Sequence, residues 1–326
     1  MLPIAVDAKG GDDPTTSVAG AHAAQADGIP VVLVGPSDLE GRVGESGVEL
    51  PLIEASEVIG MHDDPASGVR RKKDSTLVRA AEAVRDGNAS AMISAGNTGA
   101  TMASALLRMG RIKGVKRPAI ATPIPVPGST PTILLDAGAN AEVSPDLLVQ
   151  FGQMGSIYAR HRFDIAEPRV GLLSIGEEPT KGDTLRKDTY ALLSETEGID
   201  FIGNVEGRDI MSDACDVCVT DGFTGNVVLK TAEGVVKTLV SALMEQFSEP
   251  SLKEHFDALL PSLLELYTVL SPDTYGGAVL LGVDGVCIIS HGSSSAEAVR
   301  NGIGVARDMV EADMVGEIAR AIRPDA

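Results

Sequence analysis

The chain is 326 residues long, enough for one large domain or two ordinary ones with a sizeable core. Its 44% hydrophobic and 22% charged content, with no low-complexity tract, excludes disorder for most of that length. Acidic residues outnumber basic ones 46 to 27; the formal charge of −19 repels nucleic acid and anionic surfaces, so an anionic partner must be held by local groups.

Glycine is abundant at 36 residues, while aromatics make up only 3%, which implies many turns and close backbone approaches. The opening Met1-Leu2-Pro3-Ile4-Ala5-Val6-Asp7 has no charged leader before a long apolar stretch, and no run approaches about 18 apolar residues, so the chain reads as cytosolic. The three cysteines, Cys215, Cys218 and Cys287, lack the second Cys-x-x-Cys pair of a structural zinc site and read as reduced, buried thiols.

Short apolar runs each end in a turn rich in Gly, Asn, Asp or Ser, followed by a helical pattern, as in parallel βα units. In chain order, Pro3-Ile4-Ala5-Val6 meets Asp7-Ala8-Lys9-Gly10-Gly11-Asp12, Ala91-Met92-Ile93-Ser94 meets Ala95-Gly96-Asn97-Thr98-Gly99, and Ile133-Leu134-Leu135 meets Asp136-Ala137-Gly138-Ala139-Asn140. Gly171-Leu172-Leu173-Ser174-Ile175 runs into Gly176-Glu177-Glu178, and Phe201-Ile202 into a loop of Gly203-Asn204-Val205-Glu206-Gly207. Asp216-Val217-Cys218-Val219-Thr220 precedes Asp221-Gly222-Phe223-Thr224-Gly225-Asn226, and Val286-Cys287-Ile288-Ile289-Ser290 precedes His291-Gly292-Ser293-Ser294. Carboxyl ends of strands in a doubly wound sheet line one crevice, so these turns are expected to converge on a single ligand-binding cleft.

One region breaks the alternation. Val236, Leu239, Val240, Leu243, Met244 and Phe247 repeat at helical spacing, and after Ser248-Glu249-Pro250 a second stripe runs through Leu252, Phe256, Leu259, Leu260, Leu263, Leu264 and Tyr267, with Ser251 and Glu254 placed for a capping box. Two consecutive long helices predict an antiparallel hairpin leaving the main body, suited to a subunit interface or to a peripheral membrane contact.

No Gly-x-Gly-x-x-Gly, P-loop, His-Glu-x-x-His or Gly-x-Ser-x-Gly motif is present, which turns the reading away from nicotinamide, ATP, zinc-protease and ordinary α/β-hydrolase chemistry. Gly96, Asn97 and Thr98 stand at a strand-to-helix junction whose exposed N–H groups suit a phosphate. Lys181 is a cation on a glycine-bounded loop, reading either as a phosphate contact or as a solvated surface lysine. His291 can donate to an oxyanion, transfer a proton or tie down its turn, and Asp221, Asn226 and Lys230 form a further polar group in which Asn226 reads equally as a helix N-cap. Two basic windows, Arg70, Arg71, Lys72, Lys73 and Arg79, then Arg108, Arg111, Lys113, Lys116 and Arg117, are either solvated faces or docking sites for an acidic macromolecule.

Taken in order, these loops, together with Tyr275-Gly276-Gly277 and Gly282-Val283-Asp284-Gly285, closely resemble the phosphate acyltransferase family (PlsX type) nearly end to end. Its members make acyl phosphate from acyl-acyl-carrier protein and inorganic phosphate. The chain departs from the family at Lys9, where Met is usual, at Asp13, where His is usual, and at Val143, where Cys is frequent, so no histidine or cysteine role is expected at the last two.

The resemblance implies a Rossmann-like α/β/α sandwich, related to isocitrate and isopropylmalate dehydrogenases and to phosphotransacetylases. It implies one catalytic domain over 1–326 with a helical hairpin over 227–272, a homodimer, and neither cofactor nor metal. It further implies a cytoplasmic, peripherally membrane-associated enzyme of bacterial phospholipid synthesis, working beside a membrane glycerol-3-phosphate acyltransferase. Phosphate is expected to attack the thioester directly, being already an anionic nucleophile. Lys181, His291, Asn226 and Asp221 are the expected catalytic residues. Gly96, Asn97, Thr98, Asn204, Gly222 and Ser293 are expected to bind phosphate or substrate, and Arg70, Arg71, Lys72, Lys73, Arg108 and Arg111 to dock the carrier. A coenzyme A phosphotransacetylase, a decarboxylating dehydrogenase of the same architecture and a non-catalytic membrane scaffold are the rival readings.

Overall fold

The computed structural model describes residues 1–247 and 253–322. Among them, eleven strands form one sheet: β1 (Ile4–Asp7), β2 (Val31–Gly35), β3 (Leu52–Glu54), β4 (Ala91–Ser94), β5 (Ala119–Ile124), β6 (Thr132–Leu135), β7 (Arg169–Leu173), β8 (Asp200–Val205), β9 (Val217–Val219), β10 (Ala278–Leu281) and β11 (Val286–Ile289). The helices are α1 (Pro14–Ala26), α2 (Pro65–Arg71), α3 (Thr76–Arg85), α4 (Thr98–Arg108), α5 (Pro145–Phe163), α6 (Thr184–Glu195), α7 (Gly222–Phe247), α8 (Lys253–Leu270), α9 (Ala296–Glu311) and α10 (Met314–Ala321).

Alternate strand residues enter two apolar cores, because successive side chains of a strand point to opposite faces. Ile4, Val6, Ile93, Leu135 and Val217 pack with α1, α5, α9 and α10, while Ala5, Met92, Leu134, Cys218 and Leu280 pack with α3 and α4. Strands β1, β4, β6 and β11 are buried at every position, which explains why each is apolar but for a polar residue at one end of β1, β4 and β6. Phe151 and Met154 of α5 are fully buried, each worth roughly 1.5–3 kcal/mol. All three cysteines are free and buried, and burial pushes the Cys287 thiol up to about 12.

The sheet order is β3-β2-β1-β4-β11-β10-β5-β6-β9-β7-β8. Strands β3, β2, β1, β4 and β11 run parallel to one another, and so do β6, β9, β7 and β8. Between the groups, β10 is antiparallel to β11 and β5, and β5 is antiparallel to β6. Three successive reversals leave the two groups pointing in opposite directions. The turns after β1, β4 and β11 therefore lie at one edge of the sheet and those after β6, β7, β8 and β9 at the other, so the single crevice expected for all seven is not formed.

Helices α7 and α8 form the expected consecutive pair, with the rings of Phe247 and Phe256 stacked 5.5 Å apart. Helix α7 is 26 residues long, about 39 Å, and only Gly222 and Gly225 in it are buried. Its apolar stripe is largely uncovered within the chain, with Leu239 58% and Met244 46% exposed. The helix starts at Gly222, ahead of the boundary expected at 227, because the Asp221 carboxylate accepts from Thr224 N at 2.8 Å and caps it there. The expected capping box of the second helix involves Ser251 and the Glu254 side chain, which lie outside the described residues. Pro261 sits inside α8, and no helix among the described residues is long and apolar enough to cross a membrane.

Candidate active site

At the first edge, the loops after β1, β4 and β11 are locked together. Asp7 is buried and accepts from Ser94 Oγ at 2.7 Å and from Lys9 N at 3.1 Å, while Gly96 N donates to Ser94 Oγ at 2.9 Å. Burial pushes the Asp7 carboxyl above its ordinary value, opposed by hydrogen bonds from Ser94 and Thr76. A Cβ on Gly10 would stand 2.7 Å from both Asp7 Oδ2 and Gly96 N, so only glycine lets these loops close. Asp12 N donates to the Gly292 carbonyl at 2.8 Å, joining the first loop to the last. His291 is exposed; its Nδ1 accepts from Ser293 N at 3.4 Å and lies 2.8 Å from Ser293 Oγ.

Asn97 serves this edge differently from the phosphate contact expected of it. Its Oδ1 accepts from Ala100 N at 3.0 Å as the cap of α4, and its Nδ2 faces the carbonyls of Gly60, Met61 and Asp63 at 3.1–3.4 Å. The side chain is engaged at both ends, which leaves the first N–H groups of α4, those of Thr98 and Gly99, as the free donors at this turn. Asp13, where the family usually has His, caps α1 through Thr15 N at 3.0 Å, and Val143 packs against the core.

At the opposite edge, Asp136 is fully buried and accepts from the backbone N–H of Ile120, Gly138, Ala139 and Asn140 and from Asn140 Nδ2, all at 2.7–3.1 Å. Burial raises its pKa, and these donors work against that. Beside this loop, Asp221 pairs with Arg186, whose Nη2 also reaches Thr220 Oγ1 at 3.3 Å and Thr224 Oγ1 at 3.2 Å. Burial disfavours the Asp221 charge, but the Thr224 hydrogen bonds and the Arg186 guanidinium more than offset it and hold the carboxyl below the usual carboxylate range. Asp221 is thus an ionised anchor for Arg186 rather than a proton donor.

Asn226 lies in the second turn of α7 rather than capping it; it is exposed and stands against Gly138. Gly222 is buried, and a Cβ there would come within 2.7 Å of the Asn140 carbonyl oxygen. Lys181 is exposed, and its side-chain stem folds over Gly176. Asn204 belongs to β8 rather than to a loop; its Nδ2 donates to the Glu178 carbonyl at 2.9 Å, pinning the Lys181 loop, while its buried Oδ1 has no partner. Lys230, one turn after Asn226 on α7, pairs with Glu233 at 2.8 Å.

A cleft of about 540 Å³ joins the two edges across the sheet face that carries α4. Pro65, Ala66 and Gly99 line it near the first edge, Met102, Ala103, Leu106 and Leu280 line its length, and Arg111, Lys116, Arg117, Pro118, Ala139 and Asn140 line the second. Arg111 donates to the Lys116 carbonyl and Lys116 pairs with Asp146, whereas Arg117 is exposed and makes no ion pair among the described residues. Of the expected docking cations, Lys72 is committed to Val58 O and Asp63, both at 2.7 Å, and Arg108 lies 3.7 Å from Glu82; Arg70, Arg71 and Lys73 are exposed.

Lys181, Asn226, Asp221, Asn204 and Gly222 therefore stand at one edge, and Gly96, Asn97, Thr98, His291 and Ser293 at the other. Arg186 escaped the sequence reading because nothing in its helix marks an arginine whose partner is 35 residues away. Asp7 and Asp136 carried a signal, an acid at the end of a wholly apolar strand. Among the described residues, no group of three or more His, Cys, Asp or Glu side chains could hold a metal ion.

The family model described as "Fatty acid synthesis protein" matches residues 2–316. A phosphate acyltransferase of Desulforudis audaxviator is 45% identical over 326 residues, covering 98% of this chain and 96% of that one. Among solved structures, a phosphotransacetylase from Streptococcus pyogenes has a TM-score of 0.65 at 15% identity, covering 95% of this chain and 94% of the other. A 4-hydroxythreonine-4-phosphate dehydrogenase from Klebsiella pneumoniae has a TM-score of 0.54 at 13% identity, covering 95% of this chain and 99% of the other. These two likenesses establish the Rossmann-like α/β/α fold, and the match to the family model together with the near full-length identity establishes the family: the chain belongs to the phosphate acyltransferases and is an acyltransferase enzyme.

Proposed function

We propose that the enzyme transfers a fatty acyl group from acyl-acyl-carrier protein to inorganic phosphate, giving acyl phosphate for phospholipid synthesis. The observation that carries this reading is the cleft, apolar along α4 and cationic at the Arg117 end, which fits a long acyl chain whose thioester meets an anionic phosphate there. A phosphate oxygen attacks the thioester carbonyl, the tetrahedral oxyanion collapses, and the carrier's phosphopantetheine thiolate leaves. Thiolate is a good leaving group, so positioning and charge neutralisation by Arg117, Lys181 and Asn226 are the main requirements.

Arg108 and Arg111 sit beside the same end, and Arg70 and Arg71 lie on the helix whose first residues line the cleft, which supports docking of an acidic carrier. The uncovered stripe of α7 and α8 supports a homodimer contact and a peripheral membrane contact at the cytoplasmic face, beside a glycerol-3-phosphate acyltransferase.

Mass spectrometry of acyl-carrier protein incubated with the enzyme, with and without inorganic phosphate, tests the reaction. Phosphate-dependent release of holo-carrier with stoichiometric acyl phosphate is the expected result. Release without phosphate, or transfer from acyl-coenzyme A alone, overturns it. A rise in the phosphate Michaelis constant for His291→Ala but not for Arg117→Ala would move phosphate to the other end of the cleft.

A further inference from the structure

We infer that the stripe of α4 facing the cleft is the channel for the acyl chain, and that Met102, Ala103 and Leu106 set the chain length the enzyme accepts; this rests on the acyl-to-phosphate reading above. Helix α4 has two inward sides, one packed into the protein and one facing the cleft. Ala100, Thr101, Ser104 and Ala105 are buried in the protein, whereas Gly99, Met102, Ala103 and Leu106, spaced by three and four, form a second stripe open to the cleft. An apolar helix face left facing a cavity marks a place where apolar matter is received. From Gly99 to Leu106 it extends about 10 Å at 1.5 Å per residue.

The cleft's charge distribution selects the occupant. Its floor is the apolar Leu280, and its cations gather at one end, where Arg117 has no carboxylate partner among the described residues. A trough that is apolar along its length and cationic at one end matches a hydrocarbon chain whose carbonyl end is attacked by an anionic phosphate and leaves as an acyl phosphate. A second protein helix would leave that cation unanswered. The chain then lies along α4 with its carboxyl carbon at the Arg117 end, and the wall residues decide how many methylenes fit. Ala103 is the narrow point to fill, since a larger side chain there projects into the trough from the middle of the stripe.

The test measures kcat/KM of the full-length enzyme for carrier-bound acyl groups from 8 to 18 carbons, as wild type, Ala103→Phe and Met102→Ala. Ala103→Phe is expected to move the optimum to shorter chains, with long chains losing about fourfold per methylene excluded and the shortest chain kept within twofold. Met102→Ala is expected to extend the optimum upward. An unchanged profile overturns the inference, and so does a uniform loss at every length, which would assign the stripe to the carrier's pantetheine arm. A change in oligomeric state with an unchanged profile overturns it in favour of a second copy. Should wild type form no acyl phosphate from any donor, the functional reading falls by itself, and calorimetric titration with dodecyl phosphate judges the channel. Binding weakened at least tenfold by Ala103→Phe supports the channel, and equal binding to both proteins rejects it.

Discussion

Replacing Arg186 probes the polar edge through its most desolvated charge pair. The Arg186 and Asp221 side chains are only 13% and 8% exposed. Arg186→Met leaves the Asp221 carboxylate buried with Thr224 alone as partner, and breaking a buried pair from one side costs about 3–5 kcal/mol, a large share of a total stability of about 5–15. Asp221→Asn costs less, about 1–3 kcal/mol, because the amide oxygen can still accept from Thr224 N and Arg186 keeps Asp183 at 3.1 Å. The double variant carries no orphaned charge and is expected to fall short of the summed single costs by at least about 1 kcal/mol. Urea unfolding followed by circular dichroism, with a reductant to keep the three thiols free, gives all four corners of this cycle. Costs that add to within about 0.5 kcal/mol would refute the claim that the pair is coupled and desolvated.

The same cycle has a pH signature: Asp221 is held below the usual range, so its pairing stabilises fully above an unfolded carboxylate pKa of about 3.9 and is lost as pH falls through the lower folded value. The stability gap between wild type and Asp221→Asn should narrow only below about pH 4 in denaturation curves, and a gap that closes between pH 5 and 7 would contradict this. Gly225→Ala would put a Cβ 1.9 Å from the Asp136 carbonyl oxygen, so a loss of more than about 3 kcal/mol, or of soluble protein, is expected, and a melting curve matching wild type would show that the backbone can shift there. Lys181→Ala should lower kcat/KM about tenfold with no change in thermal midpoint, and near-full turnover would remove Lys181 from the chemistry. Reversing Arg70 and Arg71 to Glu should raise the Michaelis constant for carrier-bound acyl groups several-fold, less at high salt, while leaving that for phosphate alone; equal effects on both would count against docking.

The strand cores, the glycine-rich turns and the two consecutive helices were legible in the amino-acid sequence, because each is a local pattern. Ile133-Leu134-Leu135 is a buried strand wherever it is placed, and Gly10 beside Asp7 signals a close approach whatever approaches. The ordered loops also carried the family. Strand direction was not legible: β10–β11 and β5–β6 are local antiparallel hairpins, but the two are joined by pairing between residues more than 150 positions apart, such as Val279 with Ala121. The three reversals together divide the polar turns between two edges and separate His291 from Lys181. Asn97 and Asn226 show the same limit on a smaller scale. Either residue type can cap a helix or face a ligand, and only the position of the Asp63 carbonyl for one, and of the Asp221 carboxylate for the other, decides which it does. Composition and periodicity determine which residues must be buried or turned, whereas long-range packing determines which polar groups share a cavity, because a few ångströms of placement separate a cap from a contact.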